Sequence, residues 1–186
     1  SDQITASLGV NNGWDNAEDN NDAKTVGLGL TLTPTSKIAL TTNYMVGNEQ
    51  PDGFDDDGRA IEFNFSRIRH LSDTILTYTP NSKLALMANY DYAIDRLNSG
   101  TKVHWQGLAL YGRYTPNDRW AFTPRYEWFD DHDGYSTGTT QTLKEFTMTA
   151  DYRARKDMLL RFEYRYDHSD EPYFPTGDPD VFTRRQ

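Results

Sequence analysis

Gly134-Tyr135-Ser136-Thr137-Gly138 matches the G-x-S-x-G pattern of a serine nucleophile elbow, and His132 lies just upstream, so ester hydrolysis is the first chemistry to weigh. A working elbow holds its serine on a sharp turn between a strand and a helix. This one sits in a Gly/Ser/Thr-rich stretch that leads into an alternating, strand-like run. We therefore assign no catalytic residue and keep an outer-face hydrolase using Ser136 as an alternative only. Asp52, Asp55, Asp56 and Asp57, and again Asp130, Asp131 and Asp133, offer hard oxygen ligands of the kind Ca²⁺ takes. Neither run has the spacing of a helix-loop-helix site, so the prediction is solvated acidic loops that hold divalent cations loosely, with no fixed metal site. His70, His104, His132 and His168 are scattered without metal-ligand spacing and read as surface or rim residues. The absence of cysteine excludes disulfides, thiolate metal sites and cysteine nucleophiles. No cofactor is implied.

The remaining chemistry is charge in rows. Arg113, Arg125, Glu127, Glu145, Asp151, Arg153, Arg161, Glu163 and Arg165 fall on one parity of alternating runs. With Arg67, Arg69, Asp73, Asp91 and Asp167 they place seven basic groups against seven acidic ones. Opposed charge rows set a field across a water-filled pore and favour polar solutes. Alternatively, they form cross-strand ion pairs that fill an interior. Both readings stay open on the sequence. The net charge of −9 argues against nucleic acid as a partner, because neutralising phosphates needs a basic surface.

What must position these groups is a set of strands. The 186 residues suffice for one domain with a sizeable interior, and we take 1–186 as a single domain. Hydrophobic residues make up 36%, mean hydropathy is −0.82, and the longest apolar run is the five residues from Leu84 to Ala88. A membrane helix needs about 20 consecutive apolar residues. Barrel strands alternate lipid-facing and lumen-facing side chains and give a far weaker signal. Four segments align without gaps: Lys37-Ile-Ala-Leu-Thr-Thr-Asn-Tyr44, Lys83-Leu-Ala-Leu-Met-Ala-Asn-Tyr90, Arg119-Trp-Ala-Phe-Thr-Pro-Arg-Tyr126 and Asp157-Met-Leu-Leu-Arg-Phe-Glu-Tyr164. Each opens a period-two run behind a tight-turn signal, and each is preceded by another such run (26–33, 69–79, 105–115 and 143–153). A run at 3–11 brings the total to nine strands. The predicted connections alternate strictly between short turns at one end and long polar loops at the other, the wiring of an antiparallel up-and-down outer-membrane barrel.

Residues two apart in a strand share a face. One parity carries Leu8, Leu28, Leu30, Leu86, Leu110, Phe146 and Phe162, and the other carries the charge rows. Alternation does not say which face is inside, since a soluble sandwich has a packed apolar interior. Aromatic residues decide it. On the apolar parity, Tyr78, Tyr114, Trp120 and Tyr152 lie near the short turns, while Tyr44, Tyr90, Tyr126, Trp128 and Tyr164, with Tyr92 and Tyr166, lie toward the long loops. From Trp120 to Trp128 is about 26 Å along a strand, or about 20 Å after a ~40° tilt, close to the ~25 Å apolar band of such barrels. The stretches 12–23, 48–58, 129–141 and 168–180 hold 16 of the 28 acids and no Lys or Arg, whereas the short turns carry Lys37, Lys83, Arg119, Arg155 and Lys156. Two features fit less well. Pro124 deletes a ladder hydrogen bond and usually marks a bulge or an edge, and the run 69–79 presents His70, Ser72, Thr74, Leu76 and Tyr78 as a weak lipid face.

On Gly13-Trp14-Asp15-Asn16, Arg69-His70-Leu71, Trp105-Gln106-Gly107, Arg125-Tyr126-Glu127-Trp128-Phe129-Asp130-Asp131, Gln141-Thr142-Leu143-Lys144-Glu145 and Leu160-Arg161-Phe162-Glu163-Tyr164-Arg165, nearly the whole chain resembles the OmpL-like putative β-barrel porin family of Gram-negative bacteria. The resemblance implies a non-enzymatic outer-membrane channel for passive diffusion of small polar solutes, in contact with outer-membrane lipid and lipopolysaccharide. It also implies that the chain matches the C-terminal part of such a barrel, incomplete on its N-terminal side and lacking the last, aromatic-ended strand. From another class comes a structural or docking barrel that binds a partner through its acidic loops. Association into a homo-oligomer is left open.

Overall fold

The computed structural model describes residues 3–13, 18, 21–51, 67–178 and 181–186. Every predicted run is a strand: β1 (Ile4–Asn11), β2 (Thr25–Thr35), β3 (Ile38–Gly47), β4 (Arg69–Asn81), β5 (Leu84–Arg96), β6 (Lys102–Tyr114), β7 (Trp120–Asp131), β8 (Gln141–Arg155) and β9 (Met158–Ser169). They form one antiparallel nine-stranded sheet in chain order. The short turns are built by the expected residues. Asn81 Oδ1 accepts the backbone N–H groups of Lys83 and Leu84 at 2.9 and 3.1 Å, and Asn117 Oδ1 accepts those of Arg119 and Trp120 at 3.0 and 3.1 Å. A side-chain amide that closes its own turn leaves the next strand free to run straight back.

Register does the sorting. Leu8 lies opposite Leu28, Leu28 opposite Tyr44, Tyr78 opposite Leu86, Leu110 opposite Tyr126 and Ala150 opposite Phe162. Along the ladders even pairs with even, except beside three short turns where the register shifts at Thr35↔Ile38, Asn81↔Leu84 and Arg155↔Met158, so away from those turns the even-numbered residues share one face and the odd-numbered ones the other. The faces differ in crowding as well as chemistry. Within β1–β9 the buried side chains are all odd-numbered, among them Thr25, Arg69, Ala93, Asp95, Val103, Ala121, Asp131, Glu145, Thr147 and Asp151. The exposed large apolar ones are even-numbered, Leu159 excepted, with Leu8 at 71% and Phe162 at 60%. The polar face is thus the crowded, concave one, and the apolar face looks outward. This is the reverse of a soluble core and the arrangement of a transmembrane β-barrel wall.

The sheet is curled but not closed: among the described residues β1 and β9 do not pair with each other. The structure corrects the predicted wiring at one point. The β5–β6 connection lies at the long-loop end, yet it spans only residues 97–101 and is closed by Leu97 N–H to Thr101 O at 2.9 Å. A second correction concerns 168–180. This stretch includes β10 (Phe174–Pro175), which pairs with β11 (Phe182–Thr183). Residues 184–186 then return along the end of β9, where Ser169 and Asp167 donate to the carbonyls of Arg184 and Gln186 at 2.8 and 2.9 Å.

Pro124 is neither at an edge nor at a register shift. It stays in register opposite Met148 of β8, while the β6–β7 pairing lapses between Tyr111↔Arg125 and Tyr114↔Phe122 and resumes unchanged. The missing N–H thus coincides with the lapse toward β6, and a Cβ at Gly112 would make only an ordinary contact with Pro124 Cγ at 3.6 Å. The weak outward face of β4 also has an explanation. Tyr44 Oη lies 2.6 Å from His70 Nδ1, and the hydroxyls of Thr42 and Thr74 lie 3.4 Å apart. Cross-strand bonds satisfy these polar groups without water.

Candidate functional site

On the inner face of β6–β9 the structure gathers most of the predicted charge rows into two clusters. Arg125 donates to Glu145 Oε1 from Nε at 3.1 Å and from Nη2 at 2.5 Å, and its Nε is 3.3 Å from Glu127. Arg165 approaches the same Glu145 at 3.1 Å and Asp167 at 2.8 Å, while Thr147 donates its hydroxyl to Glu145 at 2.5 Å. One carboxylate therefore organises two arginines. Nearer the short turns, Asp151 does the same, with Arg161 at 2.8 Å and Arg113 at 3.4 Å. Glu163 accepts a hydrogen bond from Thr149 at 2.8 Å. Arg153 joins neither cluster: it is exposed opposite Leu159, its backbone N–H donates to the Arg119 carbonyl at 2.8 Å, and its side chain makes no ion pair or hydrogen bond among the described residues. Arg67 precedes β4 and is not on a strand.

The inner face of β3–β5 is built differently. Asp73 and Asp91 stand opposite each other in register. Amides hold them: Asn43 and Asn89 donate to Asp73 at 2.8 and 2.6 Å, and Asn89 reaches Asp91 at 3.4 Å. Among the described residues neither acid has an Arg or Lys partner. A balanced wall was expected; locally, the charges are segregated.

Above these acids, at the long-loop end, lies a group of contacts that the sequence reading did not anticipate. Arg69 and Asp95, each one residue beyond the last β4–β5 ladder pair, His70↔Ile94, form a buried ion pair with Nη2 and Nε of Arg69 at 2.7 and 2.9 Å from Asp95 Oδ2. Gln50 Nε2 donates to the same oxygen at 2.7 Å and to Tyr135 Oη at 3.3 Å, and Arg69 Nη2 donates to Tyr135 Oη at 2.6 Å. The guanidinium also lies over the rings of Trp105 and Tyr135, which are 5.4 Å apart. Asn21 fixes the strap behind Gln50 by donating to the carbonyls of Asn48 and Gln50 at 3.2 and 3.1 Å. Thr25 bonds Glu49. Segments from the β3–β4 and β7–β8 connections are thus latched over the inner face. Beneath them is a cavity of about 800 Å³ lined by residues that include Asp73, Asp91, Trp105 and Phe129.

The other candidates separate. The nine aromatic residues all lie on the even, outward face. Tyr78, Tyr90, Tyr114, Tyr126 and Tyr164 are exposed there, while Tyr44, Trp120, Trp128 and Tyr152 are partly covered by neighbours, Trp120 packing on Tyr152 at 4.7 Å. Ser136 lies in the connection between β7 and β8, with a strand and no helix after it, so the elbow geometry is not met. His132 stacks on His104 at 4.5 Å. Asp130, Asp131 and Asp133 bond separately, to Gln106, Thr137 and His104, and no metal-ligand cluster occurs among the described residues. Asp52, Asp55, Asp56 and Asp57 lie outside the described residues.

Fold and face chemistry together define the class, an up-and-down transmembrane β-barrel wall with an apolar exterior and a charged interior. The chain belongs to the family described as putative beta-barrel porin-2, OmpL-like, which it matches over residues 1–183. No curated protein sequence matches it. Among solved structures it is similar to the CymD monoaromatic hydrocarbon channel at 12% identity and TM-score 0.46, covering 90% of this chain and 56% of that one. It is also similar to the P. putida toluene transporter TodX at 11% identity and TM-score 0.44, covering 98% of this chain and 66% of that one. A TodX deltaS2 mutant matches at 13% identity and TM-score 0.44, covering 94% and 62%. The chain thus spans between 56% and 66% of the lengths of these channels.

Proposed function

We propose that the protein forms a water-filled channel in the outer membrane of a Gram-negative bacterium, through which small polar solutes or ions diffuse passively. One observation carries the reading. Across nine strands, buried polar side chains occupy one face and exposed apolar ones the other, a division that water would penalise on the outside and hydrocarbon would reward. In this reading Arg113, Arg125, Glu127, Glu145, Asp151, Arg153, Arg161, Glu163 and Arg165 line the pore. Tyr78, Tyr114, Trp120 and Tyr152 sit at one lipid interface, and Tyr44, Tyr90, Tyr126, Trp128 and Tyr164 at the other. Lipopolysaccharide and loosely held divalent cations meet the acidic loop end. The test is conductance of the full-length protein in planar bilayers. Discrete ohmic steps are expected, and silence after verified insertion overturns the proposal.

The latch favours a second reading. Loops fixed across the inner face are also what a closed docking barrel would need, one that binds a surface partner through its acidic loops. That reading expects no conductance and a partner lost when residues 132–140 are shortened.

A further inference from the structure

The cavity beneath the latch has walls of two kinds. Leu71, Ile75, Trp105 and Phe129 supply apolar and aromatic surface, and Asp73 and Asp91 supply carboxylates. Its volume of about 800 Å³ is in the ~300–1,000 Å³ range of sites that enclose a small molecule. We propose that it binds a small organic cation with a flat apolar body, such as a ring-bearing amine. The inference rests on the reading of the inner face as a water-filled lumen.

Charge selects the sign of the ligand. Asp73 and Asp91 face each other across neighbouring strands, a like-charge juxtaposition that destabilises a sheet. The amides of Asn43 and Asn89 orient the carboxylates at 2.6 to 3.4 Å but bring no positive charge. Elsewhere on the inner face Glu145, Asp151 and Asp167 each have an arginine within ion-pair distance. The cavity's own arginine, Arg69, is already bound to Asp95 and Tyr135, so an anion would find no ready partner. A cation lodged at the acids would supply the counter-charge that no described residue brings to them.

The apolar wall selects the body. Trp105 already has the Arg69 guanidinium over its ring, so Phe129, which lines the same cavity as the acids, supplies the aromatic face against which the flat body of a cation packs. A bare metal ion would leave that wall unused and would need more oxygen ligands than two carboxylates and their amides supply. A neutral hydrocarbon would gain from the wall but would do nothing for the acids.

The test uses the full-length protein in detergent, with tryptophan fluorescence as the readout and Trp105→Phe to assign the signal. The probes are benzyltrimethylammonium, tetramethylammonium, benzoate and Ca²⁺. We expect saturable binding of benzyltrimethylammonium at least roughly tenfold tighter than of benzoate or tetramethylammonium, the worth of one charge-assisted or aromatic contact. D73N/D91N should abolish the preference over benzoate, and Phe129→Ala should abolish the preference over tetramethylammonium. Should the double variant fail to fold, the wild-type probe ranking and the Phe129 variant still decide. Equal binding of benzoate, or displacement of the probe by Ca²⁺ with no contribution from the ring, overturns the proposal. Channel currents without this ranking leave the porin reading intact and remove the site. Saturable cation binding in a protein that never conducts does the reverse.

Discussion

The inner face carries two walls made from the same strand pattern but with opposite electrostatics. On β6–β9 the acids Glu145 and Asp151 each hold two arginines, whereas on β3–β5 Asp73 and Asp91 are held by amides, have no Arg or Lys partner among the described residues, and the neighbouring Arg69 is withdrawn into the latch. The two walls also differ in burial. The arginines of the first are half wet, at 30% to 59% exposure, so solvent screens them and they shape a field more than they hold the fold. The Arg69–Asp95 pair is 10% and 0% exposed, and its removal is a structural event. One wall is therefore a tunable surface and the other a fixed frame around a cavity.

The largest expected effect breaks the frame. Arg69→Ala leaves Asp95 buried without its cation, a lesion of about 3–5 kcal/mol, and it removes the anchor of Tyr135. Denaturant unfolding in detergent should show a clear loss of stability, and single-channel conductance should rise as the two loop segments swing off the inner face. R69L/D95L should recover most of the stability, since an apolar pair leaves no uncompensated charge. Unchanged conductance in a folded Arg69→Ala protein would mean that the latch does not narrow the pore.

Next comes a change on the other wall. Asp151→Asn strips the shared acid from Arg113 and Arg161, and Glu145→Gln does the same for Arg125 and Arg165. The first leaves Arg113 and Arg161 with no acid at ion-pair distance among the described residues, whereas the second still leaves Arg125 with Glu127 and Arg165 with Asp167, so selectivity should move toward anions in both, further for Asp151→Asn and furthest in the double variant. Reversal potentials in a salt gradient measure this. Asp73→Asn should shift selectivity the same way but less than Asp151→Asn, because it removes one charge and frees none.

Much of this was legible before the structure. Parity sorted both faces correctly in all nine strands, because a hairpin closed by a tight turn reflects the chain about the turn and keeps even opposite even. The same reflection about Ser82 sends Arg69 to Asp95 and Asp73 to Asp91. Both pairings were therefore present in the numbering, although the sequence reading grouped Arg69 with the wall charges. The participation of Gln50 and Tyr135 could not be found this way. They reach Asp95 and Arg69 from connections that no ladder registers, and no alternation marks where such a loop folds. Pro124 departs from the bulge or edge expected of a strand proline for a related reason. The rule that excludes proline from central strands assumes a full complement of bonds on both sides, and here the ladder to β6 lapses beside the proline and resumes in the same register.

Arg153 gives the smallest and sharpest test of the comparison. It sits on the inner face beside the Asp151 cluster, yet it is exposed and has no acid partner among the described residues. If the β6–β9 wall is a tunable surface, then Arg153→Ala should change stability by less than about 0.5 kcal/mol, because it breaks no bond and leaves no group unpaired. It should still shift reversal potential, modestly and toward cations, opposite in sign to Asp151→Asn, because a free charge at the short-turn mouth acts on passing ions without a neighbour to offset it. A measurable loss of stability with no change in selectivity would make Arg153 part of the packing and erase the distinction between the two walls.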